Sequence, residues 1–174
     1  MLKLKFLKMR KTFLMLGLSI LVSILLIGCC GETKDETVQD VTKKNESGLS
    51  DFELENGIGP VKKKLNLGPI NKEISAEGEK IFETKCGTCH KLDERYTGPA
   101  QRDVLQRVTP EYLLNMTLNP DEMIKKHPRA KKMLAEYMTV MTFQNVKMKD
   151  ALAILEYFRV IDEELMKNQQ NQQK

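Results

Sequence analysis

The sequence predicts an all-α fold, one small domain of about four to five helices over residues 75–166, on three observations. Apolar residues in this stretch recur at helical rather than alternating spacing, and no strand pattern competes. Three dipeptides, Thr109-Pro110, Asn119-Pro120 and His127-Pro128, put a capping residue before a proline suited to a first helical position. The last apolar stretch, residues 148–166, aligns Met148, Leu152, Leu155, Phe158, Ile161 and Leu165 on one broad face.

Taken in order, the first helix is expected to start with Ser75 as N-cap and to run through Ile81 and Phe82 towards Cys86. Gly78 stands where a capping box would have Glu. Short helices follow Thr109 and Asn119, His127-Pro128 closes one helix and opens the next, and the final helix completes the bundle. A domain of this size buries only about two thirds of its unfolded surface. It is short of core, and an apolar group held inside it would supply what is missing.

The flanks carry different signals. Residues 1–28 combine Lys3, Lys5, Lys8, Arg10 and Lys11 with the uncharged run 13–27, which is short for a spanning helix of roughly 20 residues. The segment is expected to be a signal peptide, and Leu26-Ile27-Gly28-Cys29 resembles a bacterial lipobox. That resemblance implies cleavage before Cys29 and a lipid on its sulfur, with several acyl chains anchoring stably. An uncleaved leader acting as a short anchor is the alternative; both leave the globular part exported and tethered. Residues 29–74 are expected to be the lipidated N-terminus and a flexible linker. Residues 31–50 hold few aliphatics, and Gly59-Pro60 and Gly68-Pro69 interrupt any helix in 51–74, a stretch that can also lie extended against the domain. Residues 167–174 are expected to be a disordered polar tail.

The strongest chemical signal is Cys86-Gly87-Thr88-Cys89-His90. Cysteines at i and i+3 of a helix project to one side, so both can form thioethers to the vinyl groups of one haem, and the adjacent His90 can ligate its iron. A dithiol redox pair would want a strand–helix–strand context, which the pattern lacks. A structural zinc site needs two more ligands, and the remaining cysteines, Cys29 and Cys30, sit at the processing site. For the sixth iron ligand, Met116, Met123 and Met133 fall inside short helices and Met148 and Met166 on the last one. Met138 and Met141 fall in a loop able to cross the open face of the haem, and His127 is the other histidine.

Residues 75–161 resemble a single-domain class I c-type cytochrome. The resemblance rests on Gly78 with Phe82, the Cys86–His90 motif, Gly98-Pro99, the Thr139-Val140-Met141 loop and Tyr157 in the last helix. It implies one covalent haem c, first and last helices packed crosswise with Gly78 admitting Tyr157, and the Pro99 carbonyl accepting the Nδ1 proton of His90. It maps the axial methionine to Met141. Val140 and Thr142 stand where the family often has prolines, which keeps Met138 in contention, beside His127 and an open distal site.

The function implied is electron transfer without catalysis: a membrane-anchored lipoprotein on the periplasmic side, in a respiratory chain, between a quinol-oxidising complex and a terminal reductase or oxidase. The segments Thr109-Pro110-Glu111-Tyr112, Asn119-Pro120-Asp121-Glu122-Met123 and Thr142-Phe143-Gln144-Asn145 resemble those of small lipoprotein cytochromes associated with nitrous oxide reduction. Nucleic-acid binding is set aside, because with five of 28 basic residues in the leader the remaining 23 face 24 acidic ones. Lys125, Lys126, Arg129, Lys131 and Lys132 can steer docking or form a solvated helix face. The rival classes are a haem-based binder, sensor or weak peroxidase with a vacant distal side, and a fixed subunit of a larger complex.

Overall fold

The computed structural model describes residues 47–172; the leader, Cys29, Cys30, the spacer up to residue 46 and the last two residues lie outside the described residues. Among the described residues there are seven helices and no strand: α1 (Asp51–Asn56), α2 (Lys72–Lys85), α3 (Val104–Arg107), α4 (Pro110–Leu118), α5 (Pro120–Lys126), α6 (Pro128–Tyr137) and α7 (Met148–Gln172). The all-α class holds. The count exceeds the expected four to five because α1 precedes residue 75 and α3 is a single turn.

The frame of the domain is α2 against α7, its most extensive helix pair. Gly78 is what lets them meet: a Cβ there would collide with the carbonyl of Ala153, on backbone that cannot yield cheaply. The small residue therefore admits the α7 backbone, not the Tyr157 ring as expected. Tyr157 packs a turn away, its ring 5.9 Å from that of Phe82. The buried face of α7 is correspondingly rotated from the expected one. Ala151, Ile154, Leu155, Phe158 and Ile161 are buried, whereas Met148 and Leu152 are exposed.

Three local expectations are corrected. The N-cap of α2 is Asn71, whose side chain accepts from the Ile74 amide, and Ser75 lies buried within the helix. Asn119 does not cap α5 with its side chain; its amide instead donates to the Ile58 carbonyl at 3.1 Å. α7 continues to Gln172, so the polar segment expected to be a tail is helical there. Thr109 does cap α4, accepting from Tyr112 N at 3.1 Å, and His127 Nδ1 accepts from Arg129 N at 3.2 Å at the start of α6.

Residues 49–71 fall within the expected linker, and of the readings open for 51–74 the structure takes the one packed against the domain. They form a strap packed onto the domain, with Leu49, Ile58 and Val61 buried. Ser50 and Glu53 make a reciprocal capping box that starts α1, a signal legible in Ser50-Asp51-Phe52-Glu53 and overlooked. Beyond α1 the strap has no ladder of its own, so its backbone groups are paired by side chains of the domain. Asn115, fully buried on α4, accepts from Val61 N at 2.9 Å and donates to the carbonyls of Asn56 at 2.9 Å and Val61 at 3.0 Å. The Met123 sulfur accepts from Ile58 N at 3.0 Å, and Glu111 accepts from Leu65 N at 2.7 Å. Glu156 and Arg159 on α7 hold the far end, at Asn71 N and the Gly68 carbonyl.

Candidate functional site

α2 delivers the motif to the edge of the core. The helix ends at Lys85, and Cys86 is its C-cap, so residues 86–89 form a turn rather than the continued helix expected. The turn is closed by Cys89 N on the Cys86 carbonyl at 3.0 Å and His90 N on the same carbonyl at 2.9 Å. Cys86, Cys89 and His90 still line one common cavity, part of it open to solvent. Its walls include Phe82, Val104, Leu113, Ile154 and Phe158, an apolar setting of the kind that holds cofactors.

Neither cysteine is in a disulfide, and burial pushes the Cys86 thiol up to about 11. A reactive dithiol would need the opposite shift, so the redox-pair alternative has no support here. Among the described residues no cluster of three or more His, Cys, Asp or Glu converges on a point that could hold a metal by itself. What the cavity offers is two thiols, one imidazole and apolar walls.

His90 is set for ligation. Its Nδ1 lies 3.1 Å from the Pro99 carbonyl, as expected, which leaves Nε2 to face a metal. Burial lowers its proton affinity, against the opposing pull of Pro99, and so favours the neutral imidazole that a ligand must be. Gly98 makes the approach possible, since a Cβ there would lie 2.7 Å from Nδ1 of the ring.

Of the distal candidates, Met141 lines the cavity, together with Thr139, Val140 and Thr142. Met138 does not: it caps α6 in the left-handed region with φ 52° and is 85% exposed. His127 is 2% exposed and engaged elsewhere, its Nε2 donating to the Leu54 carbonyl at 3.1 Å. Met116 and Met133 also line the wall, whereas Met123 is spent on the strap. The loop that carries Met141 is tethered to the end of α2 by Lys85 Nζ, 3.4 Å from the Gln144 carbonyl and 3.3 Å from that of Asn145. Tyr137, which lines the wall, is backed by Arg95, whose guanidinium lies 4.1 Å from the ring centre and donates to the Glu136 carbonyl at 3.0 Å.

Residues 75–161, half of the chain, match the cytochrome c family. This chain belongs to the cytochrome c family. Membership implies one covalently bound haem c, for which Cys86 and Cys89 are both present, and the protein is a haem-based electron carrier. Among solved structures it is similar to a cytochrome c from Rhodothermus marinus, at 45% identity and a TM-score of 0.61, over 64% of this chain and 97% of that one. An engineered form of the same R. marinus cytochrome matches at 43% identity and a TM-score of 0.60, over 64% of this chain and 96% of that one. That engineered cytochrome bound to a carbene intermediate matches at 42% identity and a TM-score of 0.58, over 64% of this chain and 96% of that one. Among curated proteins none matches the chain.

Sequence reasoning missed two contributors to this cytochrome's site. Gln101 is buried in the cavity wall with its amide 3.0 Å from His90 Nδ1. Asn115 ties the wall helix α4 to the strap. Neither residue belongs to a motif, and a lone carboxamide carries no periodic signal.

Proposed function

We propose that this cytochrome is a membrane-tethered, extracytoplasmic carrier whose haem iron is bound by His90 and Met141, and that it passes single electrons to a terminal reductase or oxidase. The supporting observation is that Met141 faces the cavity of Cys86, Cys89 and His90, whereas Met138 and His127 do not. Bound haem supplies a one-electron Fe(III)/Fe(II) couple. With both axial positions taken by the chain, no vacancy is left for a substrate, and the protein works by exchange at an exposed edge rather than by catalysis. The Met141 thioether favours Fe(II) and so raises the potential, as suits a donor late in a chain. Phe82, Leu113 and Phe158 line the cavity with apolar surface and would keep water from a haem bound there, which would favour its less charged state.

Docking is brief and small on this reading, steered by charge. Lys125, Lys126, Arg129, Lys131 and Lys132 are all exposed along α5 and α6, with Lys126 paired to Glu122 at 2.6 Å. Electrons enter from a quinol-oxidising complex, and nitrous oxide reductase is the terminal acceptor that the resemblance favours. An unchanged rate of nitrous oxide consumption after deletion of the protein would count against that acceptor. The tether is the lipid on Cys29: Cys29→Ser is expected to release the protein from the membrane fraction, and continued retention would favour an uncleaved leader.

The axial pair is tested by optical spectra of the purified protein. The oxidised form should show the near-infrared sulfur-to-iron band, and the reduced form should not bind carbon monoxide rapidly at neutral pH. Met141→Ala should abolish the band and open the iron to carbon monoxide, and Met138→Ala should do neither. The reverse pattern would reassign the ligand, and rapid carbon monoxide binding by the parent protein would favour a binder or sensor.

A further inference from the structure

The segment after the motif is stitched back onto it from both sides. Gly98 N donates to the Cys89 carbonyl at 2.8 Å, Gln101 N to the carbonyls of Lys91 and Leu92 at 3.0 Å, and Arg102 N to that of Leu92 at 2.9 Å. The Arg102 guanidinium and the Asp93 carboxylate close the same loop from outside. This frame holds the Gln101 side chain inward, where it is only 7% exposed. A carboxamide in an apolar wall is costly unless it is hydrogen-bonded. The bond it makes is to the Pro99 carbonyl, from Nε2 at 2.8 Å.

That carbonyl is also the acceptor for His90 Nδ1, at 3.1 Å. A histidine that binds iron through Nε2 carries its remaining proton on Nδ1, so Nδ1 is a donor and accepts nothing from Gln101. The 3.0 Å separation of the two nitrogens is then that of two donors sharing one oxygen, which has two lone pairs. Turning the amide over would bring its oxygen to 2.8 Å from the Pro99 oxygen with no proton between them, which fixes the orientation.

We propose that Gln101 is a positioning residue for the iron-bound His90, competing with it for the Pro99 carbonyl and thereby raising the reduction potential of the haem. The proposal rests on the axial reading above. Donation from Gln101 leaves the shared carbonyl a poorer acceptor, so the His90 N–H is less polarised and the imidazole is a weaker donor to iron. The amide also turns the positive end of an N–H dipole towards the ring. Both effects disfavour Fe(III), the state with more positive charge.

Gln101→Met keeps the length and removes the donor. In the purified, haem-loaded full-length protein it should lower the midpoint potential, by the equivalent of up to about a tenfold change in the Fe(III)/Fe(II) ratio, or about 59 mV for one electron. A space-filling role alone would leave the potential unchanged, or raise it by making the wall more apolar, and either result overturns the proposal. A second measurement needs no variant: in 1H–15N spectra of the parent, the Gln101 side-chain amide should be protected from solvent exchange and should shift between redox states. Free exchange with no redox shift overturns it as well. Loss of the near-infrared band in the parent would remove the axial reading itself, whereas an intact band in parent and variant with equal potentials would sink the role of Gln101 alone.

Discussion

Replacing Asn115 with Ala tests whether the strap belongs to the folded domain. The side chain is fully buried, so its loss strands Val61 N–H and the carbonyls of Asn56 and Val61 away from water, with the more distant Gly57 carbonyl at 3.3 Å losing its share of the same amide. Each stranded group costs about 1–3 kcal/mol, less whatever relaxation returns to water, and we take about 3 kcal/mol for the site. For a domain of this size roughly 4 °C of Tm follows each kcal/mol, so the expected loss is about 12 °C. Thermal unfolding followed by circular dichroism, at one fixed redox state, reads the total. Hydrogen exchange at the Val61 amide reads the local effect, and it should accelerate far more than exchange at amides in α7. A Tm loss under about 3 °C with Val61 still protected would refute the reasoning, because the strap would then be held by something other than this carboxamide.

Gly78→Ala offers a test of sign. In an open helix the change gains about 1 kcal/mol, but here the new methyl meets the Ala153 carbonyl, and a net loss of about 1–3 kcal/mol is expected in denaturant unfolding. A stabilised variant would mean that α2 and α7 separate at little cost. His127 gives a pH dependence. Burial is the main cause of its lowered proton affinity, so the unfolded chain takes up a proton below its ordinary value of about 6.5 before the folded protein does. Stability is therefore complete above that pH and falls as the pH drops through the window beneath it, by at most ~1.4 kcal/mol per pH unit for one proton. Of the two histidines the other, His90, is assigned to iron, so His127→Asn should flatten the slope just below about pH 6.5; equal slopes in parent and variant would exclude His127 as the source.

Much of the site was legible because its chemistry is local. Two thiols and an imidazole within five residues can be recognised without a fold, and the resemblance to class I cytochromes carried the pairing of Pro99 with His90. The helix starts at Thr109 and His127 were legible for a similar reason, since a capping side chain and the following proline act within one turn. The failures have the opposite character. Asn119 has the same dipeptide signature, yet its amide is drawn to Ile58, a residue far away in sequence. For the strap the sequence leaves two readings open, a flexible linker or a stretch extended against the domain, because glycine and proline interrupt it. That pattern does forbid a helix, but it says nothing about whether side chains such as Asn115, Met123 and Glu111 will pair its exposed backbone.

The chain itself determined the helical class, the haem attachment site and the short list of methionines, because each depends on groups near one another along the polymer. Only the tertiary structure decided that Met141 rather than Met138 or His127 turns towards the cavity, that Gly78 makes room for a backbone rather than a ring, and that Gln101 shares the carbonyl of Pro99 with His90. Those outcomes depend on which surfaces meet after folding. Burial then forces every polar group caught there to find whatever partner the packing brings within reach.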